Sequence, residues 1–143
     1  MKTLIFFLWV FLLLPSSLSA QWEILNDGAN SNSLILNGYE RPFVDFISRD
    51  TGWIAQETKL FKTTDGGKRW TSLANGRSLS IKSIDFIDSL RGWIATSSGI
   101  YCTHDGGKSW VLKMDGDFSN AKVIVNNDTT VYITEKSKIL KTS

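Results

Sequence analysis

Phe46-Ile47-Ser48-Arg49-Asp50-Thr51-Gly52-Trp53-Ile54-Ala55 returns forty residues later as Phe86-Ile87-Asp88-Ser89-Leu90-Arg91-Gly92-Trp93-Ile94-Ala95. At the same shift, Thr63-Thr64-Asp65-Gly66-Gly67-Lys68-Arg69-Trp70 returns as Thr103-His104-Asp105-Gly106-Gly107-Lys108-Ser109-Trp110. One register accounts for both matches. Compared without gaps, positions 46 to 70 and 86 to 110 are identical at twelve of 25 places, so the chain is built from a repeat of about 40 residues.

Weaker copies lie on both sides. Trp22-x-x-x-x-Asp27-Gly28 matches Trp70-x-x-x-x-Asn75-Gly76 and Trp110-x-x-x-x-Asp115-Gly116, so the end of a repeat stands near the start of the chain. Lys138-Ile139-Leu140-Lys141-Thr142-Ser143 matches Lys59-Leu60-Phe61-Lys62-Thr63-Thr64 at a shift of 79, which also brings Tyr132 onto the Trp53 position.

Each repeat alternates short runs rich in Ile, Val, Phe, Trp, Tyr and Thr with clusters of Gly, Asp, Asn and Ser, the pattern of strands and turns. In the first full repeat the runs are 43–47, 53–56, 60–63 and 70–73. No window carries a helical apolar stripe. The expected fold is therefore all-β, a β-propeller with blades of four antiparallel strands. Residues 21–42 would supply the outer strand of a preceding or closing blade plus a loop, 43–76 one blade, 80–116 a second and 121–143 an incomplete third. A propeller closes with about four to eight blades, so the chain reads as two to three blades at the N-terminal end of a longer, truncated propeller. Were it whole, its exposed blade edges would favour self-association.

The first twenty residues read differently. Lys2 gives a positive start, Leu4 to Leu14 is an unbroken apolar run, and Pro15 to Ala20 is a small-residue exit. Eleven apolar residues fall short of the roughly 20 needed to span a bilayer, so 1–20 is expected to be a signal peptide cleaved after Ser19 or Ala20. The product would be secreted or periplasmic, with no stable membrane span after cleavage. Beyond that segment 15 basic side chains face 14 acidic ones, which argues against a nucleic-acid partner. Cys102 is the single cysteine, so no intramolecular disulfide forms, and a small buried thiol is the expected role.

The Thr-x-Asp-x-Gly-x-x-Trp element has a structural logic. An aspartate in a tight turn accepts hydrogen bonds from its own backbone, Gly67 and Gly107 permit positive φ, and Trp70 and Trp110 offer a large apolar face at the start of the returning strand. Thr63-x-Asp65-x-Gly67-x-x-Trp70 and Thr103-x-Asp105-x-Gly107-x-x-Trp110 resemble the Asp-box, or bacterial neuraminidase repeat. Joined to Gly52-Trp53-Ile54-Ala55, the longer unit is similar to the repeats of the photosystem II stability and assembly factor family, well over 43–116 and partially over 21–28 and 122–143. The resemblance implies a seven-bladed or similar propeller, non-catalytic and without a cofactor, that binds a protein partner.

The rival function is catalysis by a sialidase-like glycoside hydrolase, since such enzymes also carry Asp-boxes. It would require converging arginines, a tyrosine–glutamate nucleophile and an acid. Tyr39-Glu40-Arg41-Pro42 matches poorly, and Arg49, Arg69 and Arg91 fall in turns, where solvated charges are expected. His104 has no second histidine to share a metal, Lys136, Lys138 and Lys141 read as a solvated edge, and Asn127-Asp128-Thr129 reads as a turn that also fits the glycosylation pattern. Catalytic and metal residues are thus expected to be absent. An interaction surface would lie on loops opposite the boxes, around Glu57, Thr58, Arg77, Ser97 and Ser98.

Overall fold

A computed structural model describes residues 41–73, 79–127 and 129–142. The proposed signal segment, the Trp22 strand, Tyr39-Glu40, Arg77 and Asp128 lie outside the described residues. Every described element is a strand: β1 Phe43–Phe46, β2 Gly52–Gln56, β3 Lys59–Thr63, β4 Thr71–Leu73, β5 Ile81–Phe86, β6 Gly92–Thr96, β7 Gly99–Thr103, β8 Val111–Asp115, β9 Lys122–Val125, β10 Val131–Glu135 and β11 Lys138–Lys141.

These strands form three antiparallel sheets in chain order, β1-β2-β3-β4, β5-β6-β7-β8 and β9-β10-β11. The forty-residue period is visible in the register. Asp45 opposes Trp53 and Asp85 opposes Trp93, while Trp53 opposes Lys62 and Trp93 opposes Cys102. In the third sheet Tyr132 opposes Ile124 and Lys141. Relative to the sequence expectation, β1 stops at Phe46 because the Ile47 amide turns to the Thr51 carbonyl (3.1 Å). Trp70 and Trp110 precede their strands instead of opening them.

The first strands of successive sheets lie side by side. The Phe86 amide donates to Asp45 Oδ2 (2.7 Å), and one blade later the Val125 amide donates to Asp85 Oδ2 (2.6 Å) and the Val123 amide to Ser83 Oγ (3.1 Å). Inner strands drawn together, with each sheet extending outward by hairpins, make an arc of a β-propeller.

Apolar cores fill the gaps between sheets, not a single centre. The first contains Trp53, Ala55 and Leu60 from one blade and Ile81, Ile84, Phe86, Ile94, Tyr101 and Trp110 from the next. The second joins Ala95 and Ile100 to Val123, Val131 and Ile133. The strands of the middle sheet are apolar on both faces for this reason: it is covered by a neighbour on each side, and β7 is buried along its whole length.

Candidate functional site

The two box turns repeat atom for atom. Thr63 Oγ1 donates to Asp65 Oδ1 (3.0 Å) and accepts the Gly67 amide (2.9 Å), while Asp65 Oδ1 accepts the Arg69 amide (2.9 Å). In the second box Thr103 Oγ1 donates to Asp105 Oδ1 (2.8 Å) and accepts the Gly107 amide (3.0 Å), and Asp105 Oδ1 accepts the Ser109 amide (2.9 Å). Successive left-handed glycines, Gly66 and Gly67 at φ 73° and 91° and Gly106 and Gly107 at 76° and 95°, reverse the chain where a side chain would be strained. Trp70 is buried with Ile54 and Phe61, and Trp110 packs edge-on against Phe86.

Partial burial pushes the Asp105 carboxyl up, but hydrogen bonds from the Ser109 hydroxyl and amide and the Thr103 hydroxyl outweigh it and hold the pKa at about 2, against an ordinary 3.8. A carboxylate depressed in the fold contributes stability that is present above its unfolded pKa and lost as pH falls through the folded value. Asp105→Ala is accordingly expected to lose about 1–2 kcal/mol at neutral pH. Urea titrations should show the gap between wild type and variant closing as pH falls from about 4 to about 2. A gap that stayed constant with pH would contradict this role for the carboxylate.

The boxes share one end of the blades with the first turn of each sheet: the Gly66 amide donates to the Asp50 carbonyl (2.9 Å) and the Gly106 amide to the Leu90 carbonyl (2.7 Å). Arg49 and Arg69 are exposed there. The Arg91 side chain is 42% exposed, and its Nε and Nη2 both reach Asp88 Oδ2 (2.6 and 2.5 Å) within the same turn, a surface ion pair. His104 is exposed beside buried Cys102, with Nε2 3.7 Å from Sγ, and burial pushes that thiol up. Asn127 Oδ1 accepts the Thr129 and Thr130 amides (3.0 and 2.8 Å), so its side chain shapes the turn. Lys136 sits at the β10–β11 hairpin with φ 50°, and Lys138 and Lys141 lie on β11.

At the opposite end stand the β2–β3 hairpin with Glu57 and Thr58 and the β6–β7 hairpin with Ser97 and Ser98. They hold the incoming inner strands: the Ile81 amide donates to the Glu57 carbonyl (2.8 Å), the Ser97 amide to the Ser80 carbonyl (3.2 Å) and the Phe118 amide to the Thr96 carbonyl (3.1 Å). Between the starts of β1, β5 and β9, at this same end, opens a groove of about 420 Å³ lined by Phe43, Val44, Ile84 and Ala121 with Lys82, Ser83 and Lys122. Its volume is in the range of ligand clefts, and it combines apolar walls with two ammonium groups.

Sequence reading overlooked Asp45 and Asp85. Burial raises both pKa values, opposed by the hydrogen bond each accepts from the next blade, and the Asp85 charge raises Asp45 further. The clue was present, since Asp45-Phe46 and Asp85-Phe86 extend the forty-residue match by one position. Among the described residues no three His, Cys, Asp or Glu side chains gather as metal ligands, and no helix is long and apolar enough to cross a membrane.

Paired inner strands, box turns at one end and an open groove at the other define an Asp-box β-propeller. Within that class, a family profile described as photosynthesis system II assembly factor YCF48 matches residues 15–142, and the chain belongs to this family. A solved structure titled "YCF48 bound to D1 peptide" is similar to it, with a TM-score of 0.57 and 25% identity over 70% of this chain and 36% of that one. An ancestral GH74 enzyme has a TM-score of 0.55 and 20% identity over 71% of this chain and 17% of that one, a likeness of fold. The chain thus spans about a third of the length of the YCF48 structure. No curated protein matches it.

Proposed function

We propose that this protein is an exported, non-catalytic assembly-factor-like propeller that holds an extended segment of a partner protein at the hairpin end of its blades. The observation that carries this reading is the groove between the inner strands, where Lys82 and Lys122 flank Phe43, Val44 and Ile84. Such a cleft suits a peptide with apolar side chains and a carboxylate: apolar walls supply area, and the lysines select charge. Family membership and the peptide-bound state of the similar YCF48 structure support it. Glu57, Thr58, Ser97 and Ser98 stand at the same end and would contact the flanks of a bound segment.

A non-catalytic role is favoured by membership of the assembly-factor family. Asp45 and Asp85 each accept a backbone amide from the next blade and so tie neighbouring blades together. The glycoside-hydrolase alternative rests on fold likeness alone. Export rests on the signal-like character of residues 1–20.

The probe is a fluorescently labelled D1 peptide, with a scrambled version as control, titrated by anisotropy. Lys82→Glu together with Lys122→Glu is expected to weaken binding at least about tenfold through charge reversal at the groove, with the far-ultraviolet spectrum unchanged. Equal affinity for wild type and the double variant, or for the D1 and scrambled peptides, would remove the groove from the binding role.

A further inference from the structure

Between the box turns of the first and second blades opens a cleft of about 410 Å³, walled by Lys62, Thr71 and Leu73 on β3 and β4, Asp65 and Arg69 in the first box, and Lys108 in the second. Both sheets that bound it have four strands. The cleft stands at the box end, away from the hairpin groove. Lys62 reaches across it from β3: its Nζ donates to the Ser89 carbonyl (2.7 Å), and a Cβ on Gly106 would stand 2.9 Å from that nitrogen. The ammonium group of the first blade is therefore seated on the turn that carries Lys108. Burial and the Lys108 charge push the Lys62 pKa down, with Asp88 opposing, the response of two cations brought together.

Arg69 and Lys108 are exposed. The one carboxylate of the cleft is already engaged, since Asp65 Oδ1 accepts the Thr63 hydroxyl and the Arg69 amide. Three cations against one carboxylate leave two positive charges here, on a chain that beyond residue 20 carries 15 basic side chains against 14 acidic ones. The repeat does not require this charge. Forty residues on, Lys62, Arg69 and Thr71 become Cys102, Ser109 and Val111, yet the second box closes with the same hydrogen bonds. The residues that build the turn are kept between copies, and two of the three that charge the cleft are not.

We infer that this cleft is a docking point for an acidic segment of a partner protein, one with two or more carboxylates close together. The Arg69 guanidinium offers a flat fork to a carboxylate, and the Lys62 and Lys108 ammonium groups act beside it as point charges. Leu73 adds an apolar wall and Thr71 a hydroxyl donor. The volume is that of a ligand cleft and admits a few side chains. A nucleic-acid backbone is gripped along a basic stripe, whereas these cations gather at one point. The site is independent of the groove at the hairpin end, and its selectivity comes from charge complementarity.

The experiment titrates the full chain, at low ionic strength, with a short fluorescently labelled oligoglutamate peptide and with its oligoglutamine counterpart, read by anisotropy. Wild type is expected to bind the glutamate peptide at least about tenfold tighter than the glutamine peptide, and added salt should weaken it. Arg69→Ser combined with Lys108→Ser should weaken glutamate binding at least about tenfold. Both side chains are exposed, and the second box already carries a serine in the place of Arg69, so the thermal melt is expected to stay unchanged. Lys108→Ser alone, which leaves the first box intact, should give part of the same loss. The control is Lys59→Ser with Lys138→Ser, two exposed lysines at the starts of β3 and β11 whose removal changes the net charge equally. It should keep the wild-type affinity. Equal losses in the two double variants would trace binding to overall charge, and equal affinity for the two peptides would leave the cleft without charge selection; either result overturns the proposal. Inorganic phosphate that displaces the labelled peptide as well as unlabelled oligoglutamate does would make this a small-anion site. A single-stranded oligonucleotide that displaces it at lower concentration than oligoglutamate would make nucleic acid the occupant. Both of these outcomes also overturn the proposal.

Discussion

Trp53→Ala is expected to lower unfolding free energy by about 3–5 kcal/mol, the cost of removing a fully buried indole from a packed core. The ring has no solvent exposure and lies parallel to Phe86 of the next blade, with centroids 3.7 Å apart and planes 4° from parallel. Its Nε1–H donates to the Gly106 carbonyl (3.0 Å), which truncation leaves short of a donor, and Lys62 Nζ sits 4.7 Å from the ring while donating to the Ser89 carbonyl (2.7 Å). Trp53 and Lys62 together thus join the first blade to both turns at the box end of the second.

Urea denaturation gives the magnitude, and its slope carries a second reading. If Trp53 couples two blades into one cooperative unit, its removal should lower the slope as well as the midpoint, because the blades then open separately. Trp53→Phe keeps much of the ring and deletes the N–H, so a smaller loss of about 1–2 kcal/mol is expected. A loss under about 1 kcal/mol for Trp53→Ala would be incompatible with this packing. Trp93→Ala should cost less than Trp53→Ala: Trp93 is only half-buried and lines the cavity between the second and third blades.

The second large effect concerns the glycine before each of these tryptophans. A Cβ on Gly92 would stand 2.4 Å from the Phe86 ring, and one on Gly52 would stand 2.6 Å from Phe46 and 2.8 Å from the Asp45 carbonyl oxygen. Neither obstacle yields easily: Phe86 is 5% exposed and held between Trp53 and Trp110, and the Asp45 carbonyl is backbone. Gly92→Ala and Gly52→Ala are therefore each expected to cost about 2–3 kcal/mol through overpacking. Thermal melts of the two variants provide the measurement, and a loss under about 1 kcal/mol for either would argue against these close contacts.

Much of the fold was legible because the determining interactions are local. The box network closes within seven residues, from Thr103 to Ser109, and the hairpins join adjacent strands, so their signals sit together in the sequence. The inner-strand aspartates were harder to see. Asp45 and Asp85 look like polar positions on strands, and their partners, the Phe86 and Val125 amides, lie 41 and 40 residues away. Backbone amides carry no sequence signal.

The groove at the hairpin end depends on tertiary structure in the same way. Glu57, Thr58, Ser97 and Ser98 were assigned to one side from topology, yet the groove itself is formed by Lys82, Lys122 and apolar residues on three different strands. No linear motif joins them, because they meet only when successive inner strands converge.

The repeat by itself determined the strand order, the box turns and the propeller architecture, since a forty-residue copy carries its hairpins and turns with it. It made Trp53 and Trp93 equivalent, and likewise Gly52 and Gly92. Only the tertiary structure separated them, because a blade buries its residues against the neighbouring blade. What a given tryptophan meets is set by the next blade, Phe86 and Gly106 for Trp53, and what a glycine meets is set by a phenylalanine that the neighbouring blade holds in one copy and Trp70 contacts in the other.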